Sequence, residues 1–544
     1  MLSEARRGQA VYGVMSCMVL AACGDEPGTV PQELAWAHDR DEVVSMPVVV
    51  DLDGDGVPEV LINTTRQAGV EAGLAIGELV CLDGATGAER WRIPHDPARR
   101  QFGTNGRSTV AAGDVSGDGR PDIVYAGRPT DDTSKLSPVH AVDERGRLLW
   151  TARLANGEPA LLRIELGAPA LVNLDDDPQA EIAFGAAIYD HDGLLVWNQD
   201  GHGGTFGSPH DRGKPESLIY VGGLPTFADL TGDGHPELIT GSSAWTIDWV
   251  AGAPPKVTVA RLWHDESGVG GDGYPAVADL DGNGTPEVVL TAWPEIKILD
   301  GATGELWCGV DATGKACAAD DSRRTPPILV PDRSLGGPAV IADFDGDGRP
   351  EFGIGTGSEV VMFDLHREGE AIVVPEGEPG PALGAIFPRW TVQIQDGSSG
   401  AGGASAFDFE NDGRPELLYQ DECFARVLDG ATGAVKLQIM NSSLTGHEYP
   451  VPVDVDGDGD AEIVVVANLG ETITNTGCLA AAPDFVANKG VRVYRAAVGV
   501  PTRNAWTMHS YHDTNVQDDG NVPVTEQDHW TRPGGGGFRR GPNL

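Results

Sequence analysis

Eight times along the chain, a short run of small apolar residues stops at an acidic, glycine-rich loop and resumes as a run rich in β-branched residues. The runs before the loop are often opened by proline: MPVVVD (46–51), APALVN (168–173), LPTFAD (224–229), YPAVAD (274–279), GPAVIAD (337–343) and YPVPVD (449–454). The runs after it include EVLINT (59–64), DIVYAG (122–127), EIAFGA (181–186), ELITGS (237–242) and EVVLTA (287–292). Runs of this length and composition, bounded by turn residues, predict short strands. In several copies a third strand enters an Asp-Gly-Ala-Thr-Gly turn and a fourth leaves it, as in LVCLDGATGAERWRI (79–93), IKILDGATGELWCG (296–309) and ARVLDGATGAVKLQI (425–439). HAVDERGRLLWTAR (140–153) and AIYDHDGLLVWN (187–198) are divergent versions. Four short antiparallel strands per repeat predict an all-β chain of propeller blades.

The loops begin at Asp51 (DLDGDGVPE), Asp114 (DVSGDGRPD), Asn173 (NLDDDPQAE), Asp229 (DLTGDGHPE), Asp279 (DLDGNGTPE), Asp343 (DFDGDGRPE), Asp408 (DFENDGRPE) and Asp454 (DVDGDGDAE), 46 to 65 residues apart. Eight loops predict eight blades, with seven as the alternative because the copies at Asn173 and Asp408 are degenerate. Residues 34–40 (LAWAHDR) read as a fourth strand with no blade before it, suited to completing the last blade and leaving no open edge. In an up-and-down blade, the acidic loops and the GATG turns share one face. The long connections 198–223, 308–337, 365–388 and 468–490 are expected on the other face, where a ligand would be sought.

Oxygen ligands at loop positions 1, 3 and 5 and a carboxylate at position 9 suit a hard cation, and calcium takes six to eight oxygens. Glycines at positions 4 and 6 permit the tight turn. The candidate ligands are Asp51, Asp53, Asp55 and Glu59; Asp114, Ser116, Asp118 and Asp122; Asn173, Asp175, Asp177 and Glu181; and Asp229, Thr231, Asp233 and Glu237. They continue with Asp279, Asp281, Asn283 and Glu287; Asp343, Asp345, Asp347 and Glu351; Asp408, Glu410, Asp412 and Glu416; and Asp454, Asp456, Asp458 and Glu462. An EF-hand does not fit, since its acidic residue at position 12 opens a helix, whereas position 9 here opens a strand. The copies at Asp51, Asp343 and Asp454 are complete, and those at Asn173 and Asp408 are expected to bind most weakly.

Composition sharpens this picture. Of 82 Asp and Glu, 28 lie in those loop positions, against 38 Lys and Arg and a net charge of −44. Such a chain lacks the charge that neutralises phosphates, which excludes nucleic acid and anionic membrane as expected partners.

The repeat resembles the FG-GAP/VCBS-type family, the calcium-binding propeller repeat also found in integrin α-subunits, over roughly residues 34–512. The resemblance implies several structural calcium ions and nothing catalytic. The stretch 502–523 resembles a C-terminal segment of bacterial secreted members, and RPGGGGFRRGPNL after it is expected to be a flexible tail. The DGATG-plus-Trp turns also resemble the blade motif of quinoprotein dehydrogenases, in which they lock neighbouring blades. No vicinal cysteine pair accompanies them here, and Trp91, Trp150, Trp197 and Trp307 read as blade packing.

At the N-terminus, Arg6 and Arg7 precede an apolar run of 13 residues (10–22) that ends in Leu20-Ala21-Ala22-Cys23. The run is shorter than the ~20 residues of a membrane-spanning helix but suits a signal-peptide core. Its end resembles the bacterial lipobox, which implies lipidation of Cys23 and, with Gly24 following, the outer membrane; an ordinary secretory leader is the alternative. The expected organisation is a signal peptide (1–22), a tether (23–33), the propeller (34–512) and a partly disordered extension (513–544). In an exported chain disulfides are permitted. Cys308 and Cys317 flank a short loop and form the candidate pair, Cys423 with Cys478 is a looser one, and Cys81 is left over.

His509 and His512, near Trp506 and Tyr511, read as packing rather than a metal pair. His202, His210 and Asp211 read as a solvated loop. No GxSxG, HExxH or P-loop is present. The reading is a monomeric, calcium-stabilised binding module, tethered by lipid, for a glycan or an envelope or extracellular protein. A lyase acting on acidic polysaccharide and a purely structural envelope protein are the alternatives.

Overall fold

The first strand of each repeat is short and wholly buried, and the fourth alternates between exposed and half-buried positions. That gradient is what a radial stack of blades requires: inner strands pack on both faces, while outer strands meet water. In the computed structural model the repeats form an eight-bladed β-propeller. The structure describes residues 29–66, 76–95, 103–130, 136–164, 166–175, 177–199, 223–265, 273–292, 295–308, 328–330, 336–366, 384–396, 400, 402–469, 472–532 and 536–544. The expected signal peptide, Cys23, Cys317, His202, His210 and Asp211 lie outside them.

Blade 1 consists of Val48–Val50, Glu59–Thr65, Leu79–Asp83 and Glu89–Ile93, each antiparallel to the next. Blades 2 to 7 follow the same order over residues 111–151, 169–198, 226–264, 274–329, 340–393 and 404–440. The degenerate copies at Asn173 and Asp408 each carry a complete blade, which settles the count at eight. Blade 8 takes three strands from 451–495, and its outer strand is Glu33–His38, paired antiparallel with Gly490–Arg495 from Glu33↔Arg495 to His38↔Val491. The expected ring closure by residues 34–40 is therefore observed.

Tryptophans join adjacent blades by indole hydrogen bonds across this seam and three others. Trp36 of blade 8 donates its indole N–H to Gly84 O of blade 1 at 2.6 Å. Trp91, Trp263 and Trp390 make the same bond to Glu144 O, Gly301 O and Gly430 O of the following blades at 2.7–2.9 Å. Gly87 forms the turn that receives the indole: its φ is +69°, and a Cβ there would lie 2.4 Å from the Trp36 ring.

The axis is filled by the chain's own C-terminal segment. Trp506 exchanges both backbone hydrogen bonds with Val49 of blade 1, and Thr507 O accepts from Ala112 N of blade 2. His509 Nδ1 donates to Pro169 O of blade 3, and His529 Nε2 to Val277 O of blade 5. Phe538 pairs with Ile341 of blade 6, Arg539 O and Gly541 N flank Ala406 of blade 7, and Arg503 O accepts from Asp454 N of blade 8. Trp530 packs with Ala228 and Leu230 of blade 4. An inner strand facing an empty channel would leave backbone groups to water; here the segment pairs them.

Three expectations change. Residues 536–544 are packed, not a flexible tail: Arg539 is 1% exposed and donates to His509 O and Ala339 O, because the inner strands need a partner on the axis. Residues 366–385 join the third and fourth strands of blade 6, Glu359–Leu365 and Ile386–Gln393, so that connection leaves from the acidic-loop face, not the opposite one. Leu306 bridges Leu299 and Ile328–Leu329 pairs with Glu295 and Ile296, so both lie on the outer edge of blade 5 and the link to blade 6 begins after Leu329, not at Cys308.

Cys423 and Cys478 form a disulfide that ties the helix Thr472–Ala481 to blade 7. Cys308 is disulfide-bonded as well. Cys81 is a buried free thiol whose titration burial pushes up. Among the described residues, no helix is long and apolar enough to cross a membrane.

Candidate functional site

Each acidic loop is organised by its first residue. In copy 1, Asp51 Oδ1 accepts from Gly54 N at 2.8 Å and Asp55 N at 3.2 Å, while Oδ2 accepts from Gly56 N at 2.8 Å. Asp55 Oδ1 accepts from Val57 N, and Glu59 Oε2 accepts from Leu52 N, both at 2.9 Å. Gly54 and Gly56 take φ of +74° and +90°, which few other residues accept. The same bonds recur around Asp114, Asp229, Asp279, Asp343 and Asp454. A carboxylate has about four lone-pair sites, so these bonds leave acceptor capacity directed into the loop.

The degenerate copies depart where their sequences do. Asn173 turns its amide N–H to Asp177 O, and so presents a donor in place of a carboxylate. Asp408 accepts from Asp412 N at 3.1 Å and Gly413 N at 2.7 Å, and Asn411 supplies the left-handed turn at φ +51°.

The position-9 carboxylates open the second strand and are buried, with Glu59, Asp122, Glu181, Glu237, Glu287, Glu351, Glu416 and Glu462 all at most 3% exposed. Burial, followed by neighbouring loop carboxylates, pushes Glu181 and Glu462 up to about 9. Burial likewise raises Asp122, Glu237 and Glu416 to about 7, and lifts Glu287 and Glu351 well above the usual carboxylate range. Glu181 Oε1, Asp281 Oδ2 and Glu351 Oε1 are buried without a hydrogen-bond donor. Converging buried oxygens that lack donors fit a hard cation such as calcium. In three copies the ligand atoms lie within 4.8 Å of one another: Asp51, Asp53 and Glu59; Asp279, Asp281 and Glu287; and Asp343, Asp345, Asp347 and Glu351.

Sequence spacing missed two features. First, the Asp of the third-strand turn adjoins the loop: Asp83 pairs in register with Glu59, and Asp300 with Glu287. Second, the fourth strand sends a cation back to three loops. Arg90 contacts Glu59 and lies 3.1 Å from Asp53 and 3.4 Å from Asp55. Arg389 lies 2.7 Å from Asp345 and contacts Asp364. Lys436 lies 2.5 Å from Glu416 and 3.0 Å from Glu410. Arg90 and Lys436 occupy the same offset after GATG, a signal readable once the outer strand is known to pass the loop. Among the described residues, no Lys, Arg or His pairs with the carboxylates of the copies at Asp114, Asp229, Asp279 and Asp454.

His509 is packing, as expected: it is 2% exposed, and burial together with Arg539 lowers it to about 3. His512 is not paired with His509 but lies against Glu526 and His529, a grouping no local spacing announced.

These features define an eight-bladed, acidic-loop β-propeller with an axial C-terminal plug. No family model and no curated protein matches the chain. Among solved structures, it is similar to the Vibrio cholerae biofilm matrix protein Bap1 at 18% identity, covering 94% of this chain and 99% of that one, with a TM-score of 0.61. It also aligns with the quinohemoprotein alcohol dehydrogenase ADHIIG of Pseudomonas putida HK5 at 14% identity, covering 89% and 78%, with a TM-score of 0.43. The first likeness is one of fold, and the second adds no argument.

Proposed function

We propose that this propeller is a calcium-stabilised binding or adhesion module for a glycan or a protein partner, carried as a monomer on the cell envelope by a lipid on Cys23. The observation that carries the reading is the single face on which eight acidic loops open around an axis filled by the chain itself. Because the described part of the axis is occupied by residues 502–544, recognition is assigned to the outer surface. Calcium, held by the loops at Asp114, Asp229, Asp279 and Asp454, would neutralise their carboxylates and fix each turn between two strands. It would also offer open coordination to hydroxyl or carboxylate oxygens of a glycan. The full-length likeness to a biofilm matrix protein agrees with an extracellular binding role.

The test is retention of the purified protein on a panel of acidic and neutral polysaccharides, in calcium and in chelator, with unsaturated uronate ends followed in parallel. Calcium-dependent retention without new ends supports the proposal. New unsaturated ends would make the protein a lyase. Absence of both would shift the role to a protein partner or to structure.

A further inference from the structure

The C-terminal plug brings together three residues that the acidic loops do not use. His512 Nε2 lies 2.5 Å from Glu526 Oε1, and the His512 and His529 rings are 4.3 Å apart. One ligand atom from each of His512, Glu526 and His529 falls within a mutual 4.8 Å. Both histidines are 1% exposed, whereas Glu526 is partly exposed and lines a 710 Å³ cleft beside Asp229 and Asp233.

Hydrogen bonding fixes the tautomers. His512 Nδ1 faces Ser510 O at 3.0 Å and His529 Nε2 faces Val277 O at 2.8 Å. A carbonyl oxygen only accepts, so both of those nitrogens carry the proton. In neutral rings this leaves the lone pairs on His512 Nε2 and His529 Nδ1. An imidazole whose far N–H is held by a backbone carbonyl is oriented as metal-binding histidines are. The bland account is an imidazolium of His512 paired with Glu526. It explains that contact but not why His529, held through Nε2 by Val277 O, sets its ring 4.3 Å from His512 at a tilt of 41°.

From this geometry we infer a transition-metal site, His512 Nε2, His529 Nδ1 and a Glu526 oxygen, that takes a divalent ion of the zinc class. Two imidazoles and one carboxylate suit zinc rather than calcium, which prefers oxygen throughout. Three protein ligands leave a fourth position for water. The acidic cleft, with Asp229, Asp233, Asp248 and Asp528 on its walls, would draw a cation towards Glu526. The ion would clamp the first turn of the plug, at His512, to its later 3-10 turn His529–Thr531. It would thereby fasten the plug against blade 5 without relying on the calcium loops.

The test is titration of the purified protein, kept in calcium, with cobalt(II) and then zinc. The expected result is one cobalt per chain with the intense visible bands of four-coordination, displaced by zinc. Glu526→Gln and His529→Gln should weaken binding by ~10- to 100-fold or more. Asp484→Asn, at an exposed position outside both the loops and the plug, should leave the bands unchanged. Because His529 is buried and its variant can misfold, Glu526→Gln, at a partly exposed position, carries the decision. Folded protein without cobalt bands, or bands that persist in Glu526→Gln, would overturn the site and leave an imidazolium–carboxylate pair.

Discussion

The guanidinium of Arg90 rests on the buried carboxylate of Glu59, so the first of the eight acidic loops carries a cation of its own chain. Lys436 does the same for Glu416. Two loops with four carboxylates each thus already carry one positive charge of the chain's own, although by acid count alone they would rank among the stronger sites.

Removing these side-chain cations should therefore raise calcium occupancy. Arg90→Met and Lys436→Met are each expected to add a calcium ion at saturation or to tighten the weakest class of sites, as measured by equilibrium dialysis. An unchanged isotherm would mean that Arg90 and Lys436 do not compete with calcium.

The pH dependence should reverse sign with calcium. Without it, the folded value of Glu462 lies at about 9 and that of Glu237 at about 7, above the ordinary 4.5. Folding then favours the protonated form, so this contribution is full below about pH 4.5 and is lost as pH rises through 7 to 9. With calcium the ligands must be ionised, and stability should rise over the same range. Melting temperatures from pH 5 to 9 in chelator and in calcium would show the two trends; parallel curves would refute calcium ligation by these groups.

The ring seam should depend on one indole. Trp36→Ala removes the ring packed on Gly87 and the bond to Gly84 O. A loss of about 3 kcal/mol is expected in urea unfolding. Gly87→Ala should be destabilising too, since its Cβ would enter the same ring at a positive φ. A change below about 0.5 kcal/mol in both would show that the seam is held elsewhere.

Reduction should act locally and measurably. The Cys423–Cys478 bond spans 55 residues, for which loop-closure entropy gives about 4 kcal/mol. Cys478→Ser is expected to lower the melting temperature by several degrees and to expose the helix Thr472–Ala481 to protease before the blades.

The blades were legible because each is local: one loop, one turn and four short runs recur within 46 to 65 residues. Even the copy at Asn173, with neither glycine, kept its strand pattern and hence its blade. The position-9 acids were legible too, because they open a strand at a fixed offset. The balancing cations were harder to see, since Arg90 meets Glu59 only after the outer strand doubles back past the loop. Of the plug, only the packing of His509 was legible. Arg539 meets Ala339 across 200 residues, and a glycine-rich, basic ending reads as tail until the inner strands are known to need partners. The His512–Glu526–His529 grouping stayed hidden for the same reason.

The pairing of Glu33–His38 with Gly490–Arg495 also has a kinetic meaning. Blade 8 cannot be finished by residues that are neighbours in the chain, and the axial segment engages seven inner strands only after it has been made. Loop-closure entropy over more than 450 residues must be met before the Glu33–Arg495 pairing or the Trp506–Val49 contact returns energy. Early-made blades therefore wait with open inner edges, and the last forty residues act as the keystone that turns an arc of blades into a ring.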